Sequence, residues 1–176
     1  MLVVTLGLLI AVLDQYTKQL VRWNFALGES YPVLTGFFDL TYVRNPGAAW
    51  GILGGQNGVL MGLSVVMLLL MVIFRRTFLT HALEHRLSLG LLIGGVVGNL
   101  MDRVRQGWVT DFLDFHWHGH HWPSFNVADA AICTGVGLYI LSSLWLASHP
   151  LNETPRRDHP EKITPDAEGS TPHDAS

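Results

Sequence analysis

Residues 127–147 read VADAAICTGVGLYILSSLWLA, a run of 21 residues in which Asp129 is the one charged side chain. A helix of about 20 apolar residues is long enough to cross the ~30 Å hydrocarbon core of a bilayer. Three other apolar stretches precede this one, and the third of the four is rich in glycines that allow helices to approach closely. We therefore predict four transmembrane helices, at about residues 2–23, 58–75, 87–106 and 127–147.

The composition agrees with a membrane protein. Of the 176 residues, 49% are hydrophobic and only 14% are charged, whereas about 25% are charged in typical soluble domains. The formal net charge of −3 lacks the basic excess that nucleic-acid binding requires, so we expect no nucleic-acid partner. The single cysteine, Cys133, cannot form an internal disulfide, and within the fourth span we expect it to be a small packing residue.

Basic residues predict the orientation of the chain in the membrane. They cluster in the connection between the second and third spans and again after the fourth, and cytoplasmic segments carry an excess of Lys and Arg. We therefore expect both termini in the cytoplasm and segments 24–57 and 103–126 on the opposite face. Neither a basic segment before the first span nor a small-residue cleavage site after it is present, which disfavours a cleaved signal peptide. The basic residues are Arg75, Arg76, Arg86, Arg156, Arg157 and Lys162.

The first outer segment contains a predicted strand. Residues 37–43, FFDLTYV, are aromatic and β-branched, and Asn45-Pro46-Gly47 ends the pattern. The predicted fold is an all-α membrane protein of four transmembrane helices, with a small extracytoplasmic β-containing segment between the first two. We assign residues 1–148 to this four-span domain. Residues 149–176 hold five of the eight prolines and no apolar run, which predicts a disordered cytoplasmic tail.

Polar side chains within the predicted spans are candidates for function, because burying them in a bilayer costs free energy. Asp14 and Lys18 are four residues apart and share a helix face, where they could simply neutralise each other. Asn99 and Arg103 share a face at the end of the third span. An interhelical hydrogen bond and an interfacial arginine would also explain this second pair.

Asp111 and Asp129 are the strongest candidates for catalysis. Asp111 lies among apolar residues just after the third span, and Asp129 lies at the start of the fourth, so both belong to the same outer face. Asn126 followed by Asp129 also fits an ordinary helix cap with an acidic first turn. A helix N-terminus favours ionised Asp129, whereas an apolar site beside a second carboxylate favours protonated Asp111. Two carboxyl groups with different proton affinities suit general acid–base activation of water.

Five sequence blocks, in order over residues 1–148, resemble lipoprotein signal peptidase (signal peptidase II), a bacterial membrane aspartic peptidase family. Trp50 and Thr110 stand where we would expect Phe and Val, beside the motif residues. The blocks are DQYTK at 14–18, VRNPGAAW at 43–50, GGVVGNLMDR at 94–103, VTDF at 109–112 and FNVAD at 125–129.

The resemblance implies both the reaction and the roles of individual residues. It makes Asp111 and Asp129 the catalytic dyad and requires neither metal nor cofactor. The implied substrate is a diacylglyceryl-modified prolipoprotein, which is cut on the N-terminal side of the lipidated cysteine. The enzyme is expected to be a monomer in contact with membrane lipid. The implied location is the bacterial inner membrane, with the active site at the periplasmic face. Asn45, Gly47, Asn99, Arg103 and Asn126 are the expected substrate-binding residues, and Asp14 and Lys18 the supporting polar network.

Two other functions fit parts of the sequence. A small proton-coupled carrier could use Asp14, Lys18 and Asp129 as relay groups, although the chain shows no internal repeat. The segment HWHGHHW at 116–122 could bind Zn²⁺ or Cu²⁺ in a membrane adaptor, but its spacing fits no familiar structural metal site. We interpret this segment as an amphipathic loop at the membrane interface.

Overall fold

The computed structural model describes residues 1–48, 51–78 and 83–149. Apart from His149, the predicted tail at 149–176 lies outside the described residues. The helices are α1 (Leu2–Asn24), α2 (Asn57–Ile73), α3 (Arg75–Phe78), α4 (Leu83–Gln106) and α5 (Val127–Ser148). The strands are β1 (Ser30–Leu34), β2 (Phe38–Asn45), β3 (Val109–Trp117) and β4 (His120–His121).

Helix α4 lies at the centre of the helical layer and packs against α1, α2 and α5. Its glycines make the close approach possible. A Cβ at Gly94 would lie 2.6 Å from the Gly7 carbonyl oxygen of α1, and a Cβ at Gly95 would lie 2.5 Å from the Ala128 carbonyl oxygen of α5. The glycine-rich pattern of the predicted third span therefore sets how near its two neighbours lie.

The helices bury polar residues and expose apolar ones, the reverse of a soluble bundle. Asp14 and Lys18 of α1 are 0% exposed, whereas Leu8 and Leu9 of the same helix are at least 60% exposed. Within the described residues, α4 and α5 are long and apolar enough to cross a membrane, and α2 is a shorter apolar helix. The result is a helix-rich protein with an apolar outer surface and a polar interior.

The four strands form an antiparallel sheet in the order β1-β2-β3-β4. The prediction confined the β structure to the connection between the first two helices, and the structure corrects this. Strands β3 and β4 come from the connection between α4 and α5, so the fold is not purely helical. Without β3, the edge of β2 that faces away from β1 would have unpaired backbone groups. Strand β3 forms hydrogen bonds with these groups. This pairing places Asp111 opposite Val43, and Val43 precedes Asn45 by two residues on β2.

A small apolar cluster fixes the sheet to the C-terminal end of α1. Val21 of α1, Tyr42 of β2 and Phe112 of β3 are buried against one another. A few strands of this size are not stable alone, so packing on a helix is required for the sheet to persist. Because β3 joins this cluster through Phe112, the neighbouring Asp111 is held at a fixed position relative to the helix ends.

Candidate active site

Asn126 and Asp129 form a reciprocal cap at the start of α5. The Asp129 backbone N–H donates to Asn126 Oδ1 at 3.0 Å, and the Asn126 backbone N–H donates to Asp129 Oδ2 at 3.3 Å. The cap that the sequence suggested is therefore present. It leaves the Asn126 side-chain amide free to donate elsewhere, and that amide donates to Asp111 Oδ1 at 2.7 Å. One asparagine thus contacts both aspartates.

Asp111 is 2% exposed and accepts hydrogen bonds from two asparagines. Besides Asn126, Asn45 Nδ2 donates to Asp111 Oδ2 at 2.9 Å. Burial, reinforced by the nearby charge of Asp129, raises the pKa of Asp111 from its ordinary 3.8 to about 7, while the two asparagine bonds oppose the rise. Near neutral pH, Asp111 therefore exchanges between its protonated and ionised forms.

Asn99 of α4 connects Asp129 to a buried lysine. Asn99 Nδ2 donates to Asp129 Oδ1 at 2.7 Å, while Asn99 Oδ1 accepts from Lys18 Nζ at 2.8 Å. An ammonium group only donates. The Asn99 amide must therefore direct its oxygen toward Lys18. In this orientation its nitrogen points toward Asp129.

Lys18 itself is held by two buried carboxylates. Its Nζ lies 2.8 Å from Asp14 Oδ2 and 3.3 Å from Asp102 Oδ2. The remaining oxygen of Asp14 accepts from the Ala128 backbone N–H of α5 at 2.9 Å. The structure thus pairs Asp14 with Lys18, as their spacing suggested. This network joins α1, α4 and α5 directly behind Asp129.

Replacement of Gly98 by alanine is expected to disturb this network, because the new Cβ would lie 2.6 Å from Asp14 Oδ2. We expect a loss of about 1–3 kcal/mol in the free energy of unfolding, as for overpacked cores. The matched control is Gly62→Ala in α2, where no atom lies within 4 Å of the new Cβ among the described residues. Thermal unfolding in one detergent compares the variants, and equal melting temperatures would contradict the proposed crowding.

Arg103 contacts the loop after β2 rather than the Asp14–Lys18 pair. Its Nη2 donates to the Gly47 carbonyl oxygen at 2.9 Å, and its Nη1 is buried without a hydrogen-bond partner among the described residues. The Gly47 N–H donates to Asn45 Oδ1 at 2.9 Å, which tightens the turn after β2. A Cβ at Gly47 would lie 2.8 Å from the Ile52 carbonyl oxygen, so this tight turn requires glycine.

A cavity of about 380 Å³ lies between the sheet, α4 and the start of α5. Asp111 and Asp129 both line it. So do four of the five expected substrate-binding residues: Asn45, Gly47, Asn99 and Arg103. The fifth, Asn126, lies behind the two aspartates and is 0% exposed.

Cys133 corrects one expectation. The structure places this thiol on the exposed surface of α5 and in the wall of the cavity, not in a packed interface. Cys133 follows Asp129 by four residues, so the two side chains share one helix face. The sequence contained this spacing, but the direction of that face becomes evident only once α5 is packed against α4.

Sequence reasoning also missed two supporting side chains, those of Asp102 and Gln15. Asp102 is 0% exposed and accepts from the Thr110 backbone N–H at 3.0 Å, which fixes the start of β3 just before Asp111. Gln15 Nε2 donates to Asp102 Oδ1 at 3.0 Å. Asp102 follows Asn99 by three residues, and this helical spacing was the available signal. The link to Thr110 required knowledge of where β3 begins.

Comparison with known proteins shows which family the chain belongs to. The family model for signal peptidase (SPase) II matches residues 6–145. A lipoprotein signal peptidase of Syntrophotalea carbinolica is 44% identical over 137 residues, which cover 76% of this chain and 85% of that protein. The corresponding protein of Geobacter metallireducens is 46% identical over 136 residues, covering 76% and 84% respectively.

A solved structure described as a bacterial membrane enzyme has the same fold. It superposes with a TM-score of 0.79 at 32% identity and covers 86% of this chain and 93% of its own. A second such structure gives a TM-score of 0.73 at 33% identity. The matched family model spans all the site residues described above, from Asp14 to Asp129. This chain belongs to the signal peptidase II family.

Proposed function

We propose that this protein is a membrane aspartic endopeptidase that removes the signal peptide from diacylglyceryl-modified prolipoproteins. The bond cut lies on the N-terminal side of the lipidated cysteine. The observation that carries the proposal is that Asp111 and Asp129 line one cavity and are both hydrogen-bonded by Asn126. A buried pair of carboxyl groups in different environments suits acid–base hydrolysis.

In the proposed reaction, ionised Asp129 takes a proton from water while protonated Asp111 donates its proton to the scissile carbonyl oxygen. The water oxygen bonds to the carbonyl carbon and forms a tetrahedral diol. When the diol collapses, the carbon–nitrogen bond breaks and Asp129 passes its proton to the leaving amine. The diol returns a proton to Asp111, which restores the starting state without a metal, a cofactor or a covalent intermediate.

Four side chains orient the reactants in this proposal. Asn99 and Asn126 hold the two carboxyl groups through bonds of 2.7 Å each. Arg103 and Asn45 line the same cavity and offer donors to the carbonyl oxygens of the substrate backbone. Gly47 lines it too, and the tight turn that glycine allows there lets the loop after β2 pass close to the substrate.

The proposal places four transmembrane helices in the bacterial inner membrane, with both termini in the cytoplasm and the enzyme acting as a monomer. The exposed apolar side chains of α1, α2 and α5 support this arrangement. Exposed aromatic residues near the sheet support a membrane interface at the end that holds the dyad, which would be periplasmic. They are Trp23, Tyr31, Trp117 and Trp122.

The test of this function is cleavage of a diacylglyceryl-modified prolipoprotein by the purified protein in detergent containing EDTA. We expect cleavage at the lipidated cysteine, with little or none of the same precursor lacking the lipid. Failure of the folded protein to cut the lipidated precursor would refute the proposal. Cleavage that disappears with EDTA and returns with added metal would refute the metal-independent mechanism.

The pH dependence of kcat/KM tests the role of Asp111, because this ratio reports the protonation of the free enzyme. Since its pKa is raised to about 7, Asp111 keeps its proton below that pH and loses it above. We therefore expect kcat/KM to fall above about pH 7, by up to about tenfold per pH unit. The hydrogen bond from Asn45 favours the ionised form, so Asn45→Leu should move the falling limb to higher pH. A limb that stays in place in this variant would contradict the assignment.

A further inference from the structure

Thr110, the residue before Asp111 on β3, contacts three other elements of the fold. Its backbone N–H donates to Asp102 Oδ2 of α4 at 3.0 Å, and its carbonyl oxygen accepts from Asn126 Nδ2 at 3.3 Å. Its side-chain hydroxyl is fully buried and accepts from Arg22 Nη1 of α1 at 3.0 Å. The position of β3 next to Asp111 is therefore set by α1, by α4 and by the start of α5.

The bond from Arg22 is the one of these three contacts that depends on the Thr110 side chain. The family resemblance leads us to expect valine at this position, and valine has nearly the same shape but no hydroxyl to accept a hydrogen bond. The family motif therefore does not predict this contact. Neither Arg22 nor Thr110 takes part in the proposed reaction, so the role of the bond between them is open.

Arg22 is itself held in place near the end of α1. Its Nη2 donates to Gln19 Oε1 on the same helix at 3.0 Å, and its Nη1 lies 3.6 Å from Asp102 Oδ1. The side chain is only 17% exposed, so the guanidinium is largely shielded from water. Its bond to the Thr110 hydroxyl is charge-assisted, and such bonds are stronger than those between neutral groups. A side chain fixed in this way can restrain the strand that it contacts.

A displacement of Thr110 is passed on to Asp111, because consecutive Cα atoms lie about 3.8 Å apart across a planar peptide unit. The Asn126 amide that donates to Asp111 at 2.7 Å also donates to the Thr110 carbonyl oxygen, so both acceptors depend on the same alignment. A misplacement of about 1 Å can reduce the rate of an enzyme by about 10²-fold. The start of β3 is therefore a point at which a distant side chain can control the alignment of Asp111.

We propose that Arg22 and Thr110 are positioning residues for Asp111. The Arg22 guanidinium holds the Thr110 hydroxyl and thereby keeps the Asp111 carboxyl group in hydrogen-bond contact with Asn126. Without this bond, the start of β3 is held by backbone contacts alone, and the bonds to the Asp111 carboxyl group lengthen. The effect on catalysis rests on the proposed function, whereas the effect on the Asp111 carboxyl group does not.

Thr110→Val removes the hydroxyl and keeps both the size of the side chain and the charge of Arg22. We expect kcat to fall about three- to tenfold with KM unchanged, because the dyad is misaligned once substrate is bound. Thr110→Ser keeps a hydroxyl and should restore most of the rate. The matched control is Thr41→Val on β2. Thr41 is 4% exposed, and its hydroxyl bonds to Ser30 Oγ and the Glu29 carbonyl oxygen, outside the cavity lining. Equal rates in the two valine variants would overturn the proposal.

A second substitution tests whether Arg22 acts through Thr110. Arg22→Met removes the guanidinium and keeps a long side chain, and it should also lower kcat. Because Arg22→Met already breaks the bond to the hydroxyl, the double variant with Thr110→Val should be no slower than Arg22→Met alone. Rate losses that multiply in the double variant would show independent effects and overturn the proposal. Melting temperatures are measured to show that every variant is folded at the assay temperature.

The protonation of Asp111 supplies a readout that does not require turnover. The bonds from Asn45 and Asn126 favour its ionised form, against the burial and the charge of Asp129 that raise its pKa to about 7. If Thr110→Val lengthens these bonds, the Asp111 carboxyl group should keep its proton to a higher pH. Infrared titration measures the band of the protonated carboxyl group, which is assigned to Asp111 by its absence in Asp111→Asn.

The titration also separates position from charge. Besides Asp129, the charges that interact with Asp111 within the described part of the chain are those of Lys18 and Arg103, and Thr110→Val changes none of them. A titration midpoint that stays at the wild-type value in Thr110→Val, or that moves equally in Thr41→Val, would overturn the proposal.

The two readouts distinguish this proposal from the proposed function. A wild-type protein that cuts the lipidated precursor, with a midpoint that Thr110→Val does not move, refutes the positioning role alone. A folded protein that fails to cut, with a midpoint that Thr110→Val does move, refutes the proposed function and leaves the positioning of Asp111 in place.

Discussion

Asp111→Asn and Asp129→Asn are each expected to lower kcat by at least about 10²- to 10⁴-fold, the range supplied by a positioned acid or base. In either variant one partner of the proton exchange is lost, while the size of the side chain is kept. The measurement is initial rate on the lipidated prolipoprotein at saturating substrate.

The matched control is Asp114→Asn on the same strand. Asp114 is also buried, at 8% exposed, but it pairs with His121 at 3.0 Å and is not among the residues that line the cavity. We expect this control to retain activity. In each dyad variant asparagine keeps one of the two acceptor oxygens and loses the other, so melting temperatures are measured to show that every variant is folded at the assay temperature. Full activity in either dyad variant would contradict the mechanism, even if the family function holds.

Lys18→Met is expected to have the second largest effect, on both stability and activity. It leaves Asp14 and Asp102 buried together without the shared cation, and breaking a buried ion pair in this way costs about 3–5 kcal/mol. It also removes one of the two donors to Asn99 Oδ1 and leaves the longer bond of 3.2 Å from Asn126 Nδ2. Asn99 is then held less firmly, which weakens its hydrogen bond to Asp129 Oδ1. Thermal unfolding and kcat are measured on the same preparation.

A second variant separates these two consequences. Lys18→Met combined with Asp14→Asn removes one buried charge and keeps an oxygen for the Ala128 N–H, which donates to Asp14 at 2.9 Å in the wild type. We expect stability to recover in part while kcat stays low, because Asn99 still lacks its hydrogen bond from Lys18. Recovery of kcat together with stability would show that Lys18 is needed only for folding and has no positioning role.

Much of the site was predictable because polar side chains cost free energy when they are buried within apolar helices. Asp14 and Lys18 interrupt an apolar helix at a helical spacing, and such a pair marks a polar interior. Asp129 follows Asn126 at the spacing of a helix cap, and the cap is present in the structure. Asp111 lies near the end of a span, which already placed it on the same face as Asp129.

Other features were not predictable, because they depend on contacts between distant segments. The sequence did not indicate that β3 would pair with β2, and this pairing brings Asn45 to Asp111. Nor did it show that Lys18 lies beside Asn99, a contact between residues 81 positions apart. Cys133 was expected in a packed interface, and the packing of α5 instead leaves it exposed at the cavity.

The sequence by itself determined the helix-rich fold and the apolar surface, since hydrophobic pattern and local spacing are properties of neighbouring residues. The choice of Asp111 and Asp129 as the candidate dyad followed from the family resemblance and stays a prediction. Only the tertiary structure decided how these residues act together. Gly94, Gly95 and Gly98 let α4 approach α1 and α5 closely, and that approach brings Lys18, Asn99 and Asp129 into one hydrogen-bonded chain. The pKa of Asp111 near 7 likewise arises from burial and a neighbouring charge, which exist only after the segments pack together.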